Sequence, residues 1–100
     1  MERGPEDKLS TEAITARLTD LPGWEICEKH NAIEKDFTRT NFVDAVGFIG
    51  KIADEAERAD HHPDLLLHGY KHVRVILTTH SANGITQNDF DLARAIELLE

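Results

Sequence analysis

The sequence predicts an α+β domain of two layers. A four-stranded antiparallel sheet carries three helices on one face, in the order α-β-β-α-β-β-α. Three observations predict this. Three segments carry apolar residues at helical spacing, around Ile14, Ile52 and Phe90. Four shorter segments read as strands and come in two pairs, each joined by a short turn. In the last of them Val73, Val75 and Leu77 point one way and Arg74 and Thr78 the other, so one face suits helices.

Residues 1–8 are polar and read as a loose tail ahead of a single domain over 9–100. Ser10 is placed to cap the first helix, Glu12 favours its dipole, and Leu9 with Ile14 can staple it. Ile14, Leu18 and Leu21 form its stripe, and Pro22-Gly23 ends it. Residues 24–28 alternate as a strand with Trp24 as a core anchor, 29–31 turn, and 33–38 return with Ile33, Lys35 and Phe37 on one face. Thr40 or Asn41 caps a long helix whose stripe runs Phe42, Ala45, Ile49, Ile52 and Ala56, widened by Val46, Phe48 and Ala53. Gly47 and Gly50 each cost about 1 kcal/mol relative to Ala there, which close approach of another backbone would explain.

His62 precedes Pro63, which excludes it from the helical region and ends that helix. Residues 65–68 and 72–78 then read as strands around a turn at Gly69-Tyr70. With a two-residue turn, paired residue numbers sum to roughly 139. That sets His61 across from Thr78 and His62 across from Leu77, with His80 just beyond on the same rim. His68 and His72 flank the turn at the other end and read as solvent-exposed. Residues 81–84 are a loop. Thr86 to Asp89 is a capping box with Asp in place of Glu, Ile85 and Phe90 are its staple, and the last helix follows.

A chain of 100 residues with 40% hydrophobic and 30% charged content is globular, and small enough to gain from oligomerisation. Its net charge of −8 argues against a nucleic-acid partner, which needs a basic face. No apolar run approaches a membrane span, residues 1–8 lack the apolar segment of a secretory signal, and Cys27 stands alone. A cytoplasmic protein is expected.

The residues that point to chemistry are histidines at the rim. Imidazole titrates near neutrality and can give or take a proton. Three residues separate Glu57 from His61-His62-Pro63; six residues then precede Tyr70, nine His80 and eight Asp89. This constellation resembles the pterin-4a-carbinolamine dehydratases. The resemblance extends from Leu9 and Trp24 through Phe37, Phe42 and Phe48 to Leu92 and Ala93. It implies the same two-layer fold, in homodimers or homotetramers, and dehydration of a 4a-hydroxytetrahydropterin to the quinonoid dihydropterin. That reaction recycles the tetrahydrobiopterin cofactor of aromatic amino acid hydroxylases and needs no bound cofactor or metal. The resemblance makes His61 and His80 the proton-transfer pair and His62 the residue that binds and orients the pterin. Glu57 and Asp89 then hold imidazole tautomers. Three histidines and two carboxylates could instead hold a metal, but their spacing follows no metal-ligand motif. Animal members of the family also act as dimerisation cofactors of a transcription factor through a helical surface. In this chain that role would fall to Phe48, Ile52 and their neighbours.

Overall fold

The structure is a computed structural model and describes residues 7–100. Of the tail expected over 1–8, residues 1–6 lie outside the described residues. Lys8 runs its methylenes over Gly84, and the Leu9 N–H donates to the Ile85 carbonyl.

The elements follow in the expected order: α1 (Thr11–Leu18), β1 (Glu25–Cys27), β2 (Ala32–Thr38), α2 (Phe42–Ala59), β3 (Asp64–His68), β4 (His72–Leu77) and α3 (Gln87–Glu97). One antiparallel sheet has the strand order β1-β2-β4-β3. Local chemistry sets the helix starts. Ser10 accepts from the Ala13 N–H and Asn41 from the Asp44 N–H, and Thr86 with Asp89 forms a complete capping box. α2 stops at Ala59, before the residue that Pro63 constrains. Asp60 adopts the left-handed conformation at φ 51°, which Asp tolerates better than most residues.

The helix-facing side of the sheet carries Ile33, Phe37, Val73, Val75 and Leu77, all buried. Phe37 packs between Trp24 and Phe48, with ring centroids 6.0 and 5.2 Å away. Each fully buried side chain of this kind contributes about 1.5–3 kcal/mol. Lys35 shares that face without breaking the core, because Glu97 Oε2 accepts from its ammonium at 2.6 Å and from Trp24 Nε1 at 2.9 Å.

Three sequence expectations are corrected. First, α2 buries Ala45, Phe48, Ile52 and Ala56, whereas Phe42 and Val46 of the expected stripe are half exposed and Ala53 is exposed. The stripe is narrower because the sheet reaches only one side of the helix. Phe48 and Ile52 are therefore core residues, not a docking surface. Second, the β3–β4 loop has three residues. Gly69 and Tyr70 both take positive φ, and His68 pairs with His72. Continuing that register sets His61 level with Thr79 and His62 level with Thr78, one residue from the expected partners. Third, His68 and His72 are half-buried and engaged. His68 Nε2 lies 2.6 Å from Asp36 Oδ1, Thr38 Oγ1 lies 3.0 Å from His72 Nδ1, and the two rings sit 5.3 Å apart.

Candidate active site

The end of the β3–β4 hairpin away from its turn gathers the candidate residues. Pro63 has no N–H to offer a neighbouring strand, and β3 pairs only from Asp64, so the His61-His62 segment leaves the sheet. On the other side β4 ends at Leu77. The chain then closes a tight bridge between Thr79 and Gly84 around a single turn of 3₁₀ helix, His80–Ala82. α3 starts directly after this loop and delivers Asp89 from its first turn.

His61 and Asp89 form the buried centre. His61 Nε2 lies 2.6 Å from Asp89 Oδ1, with side-chain exposures of 1% and 0%. The other carboxylate oxygen, Oδ2, accepts from the Thr86 N–H at 2.9 Å and from the Thr79 hydroxyl at 2.8 Å. One carboxylate thus caps α3, anchors the end of β4 and engages an imidazole. His62 and Glu57 form a second pair of equal length, His62 Nε2 to Glu57 Oε2 at 2.6 Å, but their side chains are 40% and 76% exposed. Glu57 sits on the last turn of α2, five positions before His62, so the chain reversal at Asp60 brings them together. His80 is exposed and opens the 3₁₀ turn, with no side-chain hydrogen bond among the described residues.

The structure therefore draws four of the five sequence-predicted residues into two histidine–carboxylate pairs. It attaches the fifth, His80, through its neighbour Thr79, which shares Asp89 with His61. Sequence reasoning missed Thr79, and missed Thr86 except as a cap. The signal was available, since Thr79 continues the inward alternation of Val73, Val75 and Leu77. Thr78 points the other way and donates to the Asn31 carbonyl at 2.9 Å. Tyr70, in the spacing pattern, lies on the turn at the far end of the hairpin and is exposed.

A concavity of about 390 Å³ lies elsewhere, lined by Gly23, Glu25, Glu34, Lys35, Asp36 and Arg74. None of the candidate residues borders it, and it contains no imidazole to exchange protons near neutrality. Among the described residues, no three His, Cys, Asp or Glu side chains are grouped to hold a metal ion, and no helix is long and apolar enough to cross a membrane.

Fold and rim together define a small α+β protein whose site is suited to moving protons. The chain belongs to the pterin 4 alpha carbinolamine dehydratase family, a family of hydro-lyases, which it matches over residues 7–99. It is 42% identical over 93 residues to a protein of Thermosynechococcus vestitus, covering 93% of this chain and 95% of the relative. It is 44% identical over 92 residues to one of Acidobacterium capsulatum, covering 92% and 97%. Both relatives carry the provisional name pterin-4-alpha-carbinolamine dehydratase. Among solved structures, the transcriptional coactivator/pterin dehydratase of Brucella melitensis superposes with a TM-score of 0.86 at 34% identity, over 93% of this chain and 98% of that one.

Proposed function

We propose that this protein dehydrates a 4a-hydroxytetrahydropterin by histidine acid–base catalysis. The leaving hydroxyl takes a proton and departs as water. The adjacent ring nitrogen gives up its proton, and the C=N bond of the quinonoid dihydropterin forms. The two transfers occur on opposite sides of the ring, and the rim offers one imidazole for each. His80 is exposed and meets the substrate from the solvent side. His61, with Nε2 engaged by Asp89, is the partner on the protein side. His62, steadied by Glu57, binds and orients the pterin at the edge. General acid and base each contribute on the order of 10²–10⁴ in rate.

The observation that supports this reading is the shared carboxylate. Asp89 joins the His61 segment to Thr79, and so ties both proton-transfer residues to one rim. The test is a dehydratase assay with freshly generated 4a-hydroxytetrahydropterin, corrected for spontaneous dehydration. A wild-type rate no faster than the spontaneous one sinks the proposal. In this reading the protein is cytoplasmic and recycles tetrahydrobiopterin for an aromatic amino acid hydroxylase.

A second reading, a dimerisation or transcription-cofactor module, is favoured by one surface. Phe42, Val43 and Val46 of α2 are 53%, 79% and 47% exposed, and a Cβ built on Gly47 or Gly50 would meet nothing within 4 Å. That face, not Phe48 and Ile52, is where a helix could dock, and it suits a homodimer or homotetramer as well. Replacing Val43 and Val46 by Asp separates the readings: the enzyme keeps a working rim, whereas the interaction module fails.

A further inference from the structure

Asp89 is gripped more tightly than a cap alone requires, and the pattern of donors has a direction. Oδ2 accepts two hydrogen bonds. One comes from the Thr86 backbone N–H, which cannot reverse. The other comes from the Thr79 hydroxyl at 2.8 Å, whose single proton is thereby committed. Thr79 Oγ1 also lies 2.8 Å from Thr86 Oγ1. Since Thr79 has no second proton, Thr86 donates there, while its own oxygen accepts from the Asn88 N–H at 3.2 Å. Thr79, Thr86 and Asp89 are buried beside His61, each at most 1% exposed, so water does not compete for these bonds. Both bonds on Oδ2 use the carboxyl group as an acceptor, and Oδ1 is left to accept a hydrogen bond from the imidazole N–H.

We infer that Thr79 is a positioning residue for the reaction: its hydroxyl, aimed by Thr86, keeps Asp89 an acceptor and so holds His61 as the Nε2–H tautomer, with the ring's lone pair on Nδ1. The chain of donation runs from Thr86 to Thr79 to Asp89, and Asp89 accepts on its other oxygen from His61. The step rests on the proposed role of His61, but the tautomer itself is a property of the folded protein and is measurable without substrate.

The experiment is two-bond ¹⁵N–¹H correlation spectroscopy of the histidine rings, with steady-state kinetics, on wild type, Thr79→Val and Thr79→Ser. Wild-type His61 is expected to be protonated at Nε2. Thr79→Val keeps side-chain shape and the backbone bridge to Gly84 but removes the hydroxyl. It should mix or invert the His61 tautomers and lower kcat roughly tenfold to a hundredfold, the loss expected for a hydrogen bond to a charged group, with KM little changed. Thr79→Ser should restore both. A wild-type His61 protonated chiefly at Nδ1 overturns the inference, as does a folded Thr79→Val protein with an unchanged tautomer. Should Thr79→Val not fold, the wild-type and Thr79→Ser spectra still decide, since both must show Nε2–H. Should wild type lack dehydratase activity while showing the Nε2–H tautomer, the functional reading fails and the positioning inference stands.

Discussion

Two histidine–carboxylate pairs sit on adjoining residues of the same segment, His61 with Asp89 and His62 with Glu57, and both measure 2.6 Å. Their energetics differ because their surroundings do. In the exposed pair, water screens the Coulomb term and both side chains keep alternatives, so the contact is worth about 0–1 kcal/mol. In the buried pair neither group has water to fall back on. The desolvation cost is met only because Asp89 also takes bonds from Thr79 and Thr86, and removing one partner leaves the rest stranded. Equal distances thus describe a structural joint in one case and an adjustable contact in the other.

The largest way to break this comparison is Asp89→Ala. It removes the cap, the anchor of β4 and the partner of His61 together, and should cost about 3–5 kcal/mol of stability. Chemical denaturation reads this as a lowered midpoint, and turnover should fall as well. A loss under 1 kcal/mol would mean that burial does not distinguish the two pairs.

Next comes His80→Ala. An exposed imidazole with no side-chain hydrogen bond among the described residues contributes little to packing, so stability should stay within about 0.5 kcal/mol. Turnover above the spontaneous rate should drop roughly 10²–10⁴-fold. Retention of wild-type turnover removes His80 from the proton-transfer pair.

Glu57→Gln should be milder. Stability should change by less than about 1 kcal/mol. With His62 as the orienting residue, KM should rise more than kcat falls. A stability loss matching that of Asp89→Ala would contradict the contrast drawn above.

The smallest effect concerns a third pair of the same length, His68 with Asp36 on the open sheet face. Burial pushes the Asp36 carboxyl up, but hydrogen bonds from His68 and Arg74 and the charge of Arg74 outweigh it, holding the group below the ordinary 3.8. A lowered folded-state value gives a contribution that is present above 3.8 and lost as pH falls through the lowered value. Asp36→Asn should therefore be slightly less stable than wild type at neutral pH, the gap closing in acid. Paired acid-denaturation curves check this; a gap that widens below 3.8 has the wrong sign.

Much of the fold was legible because its determinants are local. Ser10, Asn41 and Thr86 mark helix starts by what their side chains accept from the next turn. Val73, Val75 and Leu77 face the core because strand geometry alternates. The spacing from Glu57 to Asp89 was legible for a different reason, since it resembles a family pattern. Where tertiary context chose among local options, the reading slipped. Nothing near Gly69 in the sequence selects a three-residue loop over a two-residue one, yet that choice puts Thr79, rather than Thr78, level with His61. Phe42 and Val46 satisfy the helical period of the core, but the sheet does not extend to cover them.

By itself the sequence determined the order of elements, the capped helix ends, the core-facing strand positions and the set of titratable residues at one rim. The element order, helix ends and strand positions follow from contacts within a few residues or from strand parity, and the full rim set from its resemblance to a family pattern. Only the tertiary structure decided which carboxylate meets which imidazole, and which pair is dry. Asp89 reaches His61 across 28 positions of chain, and Thr79 arrives on a third segment. Such a meeting depends on loop closure and on how α2 and α3 flank the hairpin end, and no local rule encodes either.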